Sequence, residues 1–483
     1  MADSKKMNSS KHLSDLTSNF SINQEEAPVE VGLRNGMNQR RILRNLFISS
    51  FCYFLFYTGF WCLSSLQSTM NGAGGIGDDS QAVIYGMSLL SSLFLPDFLI
   101  ARFGSKKVLT VCTLLGCPYL AANIYLRWDT MMVASVLYGL INGPFVTAQA
   151  VYIEEIASRF EKTINQNIEV VMACFFGFFG IFSESTNIFG NILVYYAFKP
   201  NTTDVVSTNS TGYDCGYHFK PGGNDTNSNL EPPPDSERLL LVGVFVALGI
   251  FAALILGFFL DPLGNDLKEG RGCNIIFNRF LSAVKHLKNP HQMLLIPIAI
   301  YMGVEGPFYS NEVTQAYIAC SWGVHHVGFV TICFGVCGAI MSLLVGPLVK
   351  YISQMAVLIL AACANIGICV LLFLWDPTPE TTSIYFIIAG VWGMGDAIWW
   401  SQISALYGLM FPNDREAAFS NLYFWSFLGF FLSYSYANYL SVAVKINILM
   451  AFLLTGMACY LVGQIKIKCS ARKEYIHIEN GNQ

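Results

Sequence analysis

The chain has 483 residues, of which 53% are hydrophobic and only 12% charged, with mean hydropathy +0.47. Soluble domains usually carry about 25% charged residues, so most of this chain is expected to have lipid as its solvent. A formal net charge of −4 gives no case for nucleic-acid binding. Residues 1–45 are rich in Ser, Asn, Lys and Glu. They read as a disordered tail, and the first apolar run lies too deep to be a cleaved signal peptide.

A hydrocarbon core needs about 20 apolar helical residues to cross it, and only helices or closed barrels satisfy the backbone there. Apolar runs at 46–66, 82–101, 108–126, 130–151, 168–197 and 239–260 predict six spans. Runs at 292–311, 326–347, 355–374, 383–408, 418–438 and 446–465 predict six more. The resulting picture is an all-α polytopic membrane protein with a six-helix half at 46–262, a linker at 263–290, a second six-helix half at 291–466 and a tail at 467–483.

Two loops set the expected orientation. The stretch 199–238 is proline-rich and holds three Asn-x-Ser/Thr acceptors, Asn201, Asn209 and Asn224, which predict a glycosylated loop outside the cell. The linker carries Lys268, Arg271, Arg279, Lys285 and Lys288, the signature of a cytosolic loop. With both termini inside, most of the 28 Lys and Arg fall on the cytosolic side; only Arg127, Lys199, Lys220, Arg238 and Lys445 fall outside. On this reading no Lys or Arg lies within a span. Most of the 14 cysteines sit in apolar runs, as small hydrophobes at helix interfaces. Cys215 and Cys320 both fall near outer loops, where a disulfide is open to them.

Several motifs look like chemistry. Gly72-Ala73-Gly74-Gly75-Ile76-Gly77 has the spacing of a dinucleotide loop, but it joins two membrane spans rather than a strand and a helix, so it reads as a turn. No nucleophile arrangement, Walker sequence or metal-ligand spacing presents itself, so no catalytic residue, metal or cofactor is expected. Glu184, Glu305 and Asp396 fall inside predicted spans with no basic partner at their depth. A charge in hydrocarbon is expensive and needs a partner or water. Glu305 precedes Gly306-Pro307, and Asp396 follows Gly393-Met394-Gly395, so both sit where a helix is interrupted. Two readings stand: a cation or proton site built on broken helices, or acids hydrogen-bonded to neighbouring helices that hold the bundle together. In the tail, Tyr475-Ile476-His477-Ile478 has the Tyr-x-x-bulky form of an endocytic sorting signal, carried by Tyr475 and Ile478.

The turn after the second span carries Arg102, Gly104 and Lys106, and it resembles the inner-loop signature of the major facilitator superfamily. Ala101 stands where that family usually has Asp, which puts ordinary transport gating in doubt. The resemblance implies a major facilitator-type fold with 12 transmembrane helices in two six-helix halves.

Further segments narrow it. Leu66-Gln67-Ser68, Tyr301-Met302-Gly303-Val304-Glu305-Gly306 and Gly393-Met394-Gly395-Asp396-Ala397-Ile398-Trp399 resemble the unc-93-like (uncoordinated) family, homolog A type. So do Ala405-Leu406-Tyr407-Gly408 and Glu416-Ala417-Ala418-Phe419-Ser420-Asn421. The resemblance implies a non-enzymatic regulatory or accessory subunit of a potassium channel complex, acting on channel activity or surface delivery. Its partners would be the lipid bilayer and potassium channel subunits, two-pore-domain channels among them. Its location would be the plasma membrane, with endosomal membranes second. The competing reading is a proton- or cation-coupled solute transporter of the major facilitator type. Oligomeric state is open.

Overall fold

The computed structural model describes residues 37–70, 76–125, 127–164, 167–197, 215–220, 235–263, 285–412 and 414–481. From Gln39 onward the chain forms one compact helical unit. The first six helices are α1 (Gln39–Met70), α2 (Ile76–Phe103), α3 (Ser105–Ala122), α4 (Trp128–Ile164), α5 (Ile168–Ala197) and α6 (Asp235–Phe259). The seventh, α7, starts as Pro290–Pro307, continues as a π-helical stretch Phe308–Ala319 and closes with Cys320–Trp322. Then follow α8 (Val324–Tyr351), α9 (Gln354–Leu374), α10 (Thr382–Met410), α11 (Arg415–Tyr436) and α12 (Val442–Gly481). Among the described residues, nine of these are long and apolar enough to cross a membrane. The other three are α3, α10 and α11. The last two carry inward-facing polar side chains, such as Gln402, Ser404, Ser420 and Asn421, all buried.

Four helices depart from the hydropathy reading, and α4 does so by running on to Ile164, past the expected end at 151. α1 starts at Gln39, inside the stretch read as a tail, because Arg41 and Arg44 pair with Asp261 just past α6. α7 runs past position 311. Pro307 has no N–H to give, so the carbonyl one turn back loses its donor and the ladder shifts register into the π stretch. α12 continues through most of the expected tail, so the backbone of Tyr475 and Ile478 is helical. The three acceptor asparagines 201, 209 and 224 lie outside the described residues, as does most of the Gly72–Gly77 turn.

The two halves repeat each other's packing. In the first, α1 packs on α5 and α6, and α2 and α3 pack on α4. In the second, α7 packs on α11 and α12, and α8 and α9 pack on α10. The halves meet along two seams, α2 with α11 and α5 with α8. Close approach depends on missing side chains, as expected where helices associate in lipid. A Cβ on Gly303 of α7 would overlap the Ser426 carbonyl oxygen of α11, and one on Gly393 of α10 would overlap the Phe334 carbonyl of α8. Between α2 and α3 the chain turns at Gly104, whose φ of 79° lies in the left-handed region that favours glycine. That explains the glycine of the inner-loop signature. Arg102 beside it is exposed and Lys106 is partly exposed.

Candidate functional site

The three acids singled out by sequence come from three helices and both halves: Glu184 from α5, Glu305 from α7 and Asp396 from α10. They converge. Asp396 lies between the two glutamates, within hydrogen-bonding reach of both. Glu184 and Glu305 are 5% and 1% exposed, while Asp396 is partly open to a cavity. Glycines make the convergence possible. A Cβ on Gly338 of α8 would come within 2.6 Å of Glu184 Oε2, so only a bare backbone leaves room for that carboxyl. Gly395 similarly admits Asn365, whose amide donates to the Tyr301 hydroxyl at 2.6 Å, one turn before Glu305.

A carboxyl can donate to another carboxyl only when it carries a proton. The three carboxyls form a cluster spanning the seam between the halves, and a hydrogen bond between any two of them requires a proton on one. Trp392 also stands within hydrogen-bonding reach of Glu305.

The cluster borders a cavity of about 190 Å³ between the halves. Its described lining contains no Lys, Arg or His; Glu184 and Asp396 are its ionisable acids. Aromatic side chains dominate the walls. On α1, Tyr53 and Tyr57 stack with ring centroids 4.1 Å apart, and Trp61 follows one turn on. Trp400 of α10 and Tyr423 of α11, with ring centroids 6.4 Å apart, line the same cavity. The Tyr57 hydroxyl donates to Asn142 at 2.9 Å, and Asn142 in turn donates to Ser88 at 3.1 Å, which ties the wall to α2 and α4.

Both ends of the bundle are fastened. At one end, Arg44 and Arg41 lie 2.5 and 3.2 Å from Asp261 Oδ2, and Asn45 donates to the same oxygen at 3.1 Å. Burial alone would raise the Asp261 carboxyl. The hydrogen bonds from Arg41 and Asn45, with the charges of both arginines, outweigh it and hold the group below the usual carboxylate range. Nearby, Arg415 at the start of α11 sits 2.9 Å from buried Glu154 of α4, an ion pair across the halves. Its Nε–H is directed at the Pro412 carbonyl, so the pair is electrostatic rather than an aligned hydrogen bond.

At the opposite end Cys215, between α5 and α6, is disulfide-bonded to Cys320 at the end of α7. This covalently joins a segment of the first half to the second. The same segment accepts a hydrogen bond at the Phe219 carbonyl from Val442 N, at 3.3 Å. Beneath it Lys445 of α12 is fully buried, donating to Glu312 Oε1 and to the Ala437 carbonyl, both at 2.6 Å. No Lys or Arg was expected within a span, yet Lys445 is buried inside a helix long and apolar enough to cross a membrane. Glu312 sits on the π stretch and Lys445 on the first turn of α12, each just beyond a predicted span, so neither read as buried. The spacing of an acid and a base 133 positions apart holds no signal of their meeting.

Two six-helix halves joined along α2–α11 and α5–α8, with a cavity between them, define a major facilitator-type membrane protein. The crystal structure of the human organic anion transporter MFSD10 (TETRAN) shares this fold, with TM-score 0.60 over 88% of this chain and 99% of that one, at 10% identity. The chain belongs to the UNC-93 family, whose profile is described as ion channel regulatory protein UNC-93 and matches residues 73–461. Protein unc-93 homolog A of Xenopus laevis is 35% identical over 423 residues, 86% of this chain and 92% of that protein. A Caenorhabditis elegans relative with the name "Putative potassium channel regulatory protein unc-93" is 29% identical over 88% of this chain and 61% of its own length.

Proposed function

We propose that the chain is a non-enzymatic regulatory subunit of a potassium channel complex in the plasma membrane. The observation that carries this reading is its family membership, which spans nearly the whole helical bundle. The cross-half disulfide and the Glu154–Arg415 ion pair are consistent with it, since both oppose large movements of one half against the other. On this reading both termini face the cytosol, and the 199–238 loop faces outside, glycosylated at Asn201, Asn209 and Asn224. Tyr475 and Ile478 act in endocytic sorting and endosomal membranes are the second location. The test is whole-cell current through a coexpressed two-pore-domain potassium channel. The chain changes current density or surface channel number while carrying no current alone. An unchanged current and unchanged surface channel number across the channels of that class would refute the reading.

A second reading, a proton- or cation-coupled solute transporter, is favoured by the central cavity and its bordering acids. Glu305→Gln and Asp396→Asn separate the two. A transporter loses coupled flux in proteoliposomes with channel currents intact, and a regulator shows the converse.

A further inference from the structure

We propose that the central cavity is a binding site for a small organic cation, a protonated amine with apolar bulk comparable to one ring, bound between Glu184 and Asp396 and enclosed by aromatic faces. The inference concerns ligand binding and depends on neither channel regulation nor turnover.

Four observations point to this class of ligand. The first is charge: two carboxyls border the space, Glu305 stands behind them, and the described lining offers no cation in return. Acids placed in a low-dielectric bundle need a positive partner or a proton. The second is unmet hydrogen bonding. Gln149 Nε2 and Ser342 Oγ belong to lining residues, each at most 3% exposed, and among the described residues neither atom has a hydrogen-bond partner. Buried polar atoms are rarely left so, and two around one cavity mark a place where a ligand completes them.

The third observation is the wall itself. Tyr53, Tyr57, Trp61, Trp400 and Tyr423 line the same cavity as the two carboxyls and carry electron-rich rings. The faces of such rings attract alkylammonium groups and do so most strongly when water is excluded. A hard metal ion instead takes six or more oxygen ligands, and an anion would meet two acidic groups and no basic side chain in the described lining. The fourth is size. At about 190 Å³ the cavity exceeds the roughly 150 Å³ that admits benzene. An ammonium entering it replaces a proton as the partner of the acids, and that proton leaves to solvent. Because Glu184 belongs to the first half and Asp396 to the second, the ligand spans the seam.

The experiment uses the full chain in lipid nanodiscs, titrated with 2-phenylethylammonium at constant ionic strength. Binding is read by calorimetry and by quenching of indole fluorescence. The neutral 2-phenylethanol, the anionic phenylacetate and potassium chloride are the controls. The expected result is saturable binding of the amine, with the alcohol and the acid weaker by about ten- to a hundredfold. Glu184→Gln and Asp396→Asn each bring the amine's affinity close to the alcohol's, and Trp400→Leu weakens the amine more than the alcohol. Equal binding of amine and alcohol, saturation by potassium chloride alone, or amine affinity unchanged in both acid variants would overturn the proposal. If a variant fails to fold, the comparison of amine with alcohol on the native chain decides. Failure here leaves the current measurement above untouched, and loss of channel regulation leaves this binding untouched.

Discussion

Replacing Lys445 by Met keeps the length of the side chain but removes its charge and both hydrogen bonds. Lys445 is fully buried, and its ammonium lies 2.6 Å from Glu312 Oε1 and 2.6 Å from the Ala437 carbonyl. Breaking a buried pair from one side leaves the other charge uncompensated, which typically costs about 3–5 kcal/mol. Removing both charges costs less, because no buried carboxylate loses its counter-ion. Lys445→Met should therefore destabilise by about 3–5 kcal/mol, and adding Glu312→Gln should restore at least about 2 kcal/mol of that loss. The Ala437 carbonyl stays without its lysine donor, so recovery is incomplete. The assay is reversible unfolding in mixed micelles, followed by far-ultraviolet circular dichroism, for both single variants and the double variant. Strict additivity of the two substitutions, or a loss below about 1 kcal/mol for Lys445→Met, would refute the reasoning.

Gly303→Ala should destabilise by about 1–3 kcal/mol or more, since the new methyl forces α7 away from the Ser426 carbonyl. Gly243→Ala, with nothing within 4 Å of the added carbon, should be neutral or slightly stabilising in the same unfolding assay. Cys215→Ser, Cys320→Ser and the double variant should each lose a similar amount, about 2–4 kcal/mol. Peptide mapping without reductant should recover the linked pair only from the native chain. Asp261→Asn should lower stability near neutral pH. Because the folded Asp261 carboxyl is held below its unfolded value of about 3.9, its contribution is fully present above that pH and is lost as pH falls further. The gap between native chain and variant should therefore stay constant from neutral to mildly acidic pH and close below that value.

Much of the bundle was legible because lipid imposes one requirement on every span, a continuous apolar helix. The twelve runs coincide with the helices to within a few residues wherever polar turns bound them tightly, as at Arg127-Trp128-Asp129, where α4 begins. Hydropathy lost the ends where a polar side chain is satisfied inside the protein. Arg41 and Arg44 extend α1 because of Asp261, and Glu312 and Lys445, just outside the predicted spans, are buried because they pair with each other. Glu184, Glu305 and Asp396 stood out as costly in lipid, but their meeting depends on Gly338 and on close crossings set by Gly303 and Gly393. Those crossings depend on tertiary packing, which a local pattern does not carry. The aromatic walls were hidden for the same reason, since Tyr53 and Trp400 look like any other apolar helix positions until the halves are brought together.

The regulatory account is tested most directly by what the chain holds on to in its own membrane. Affinity purification of the tagged chain from native membranes, solubilised in mild detergent and analysed by mass spectrometry, should recover a potassium channel subunit in near-stoichiometric amount. Recovery of the chain free of any channel subunit, under conditions that keep known membrane complexes intact, would contradict it.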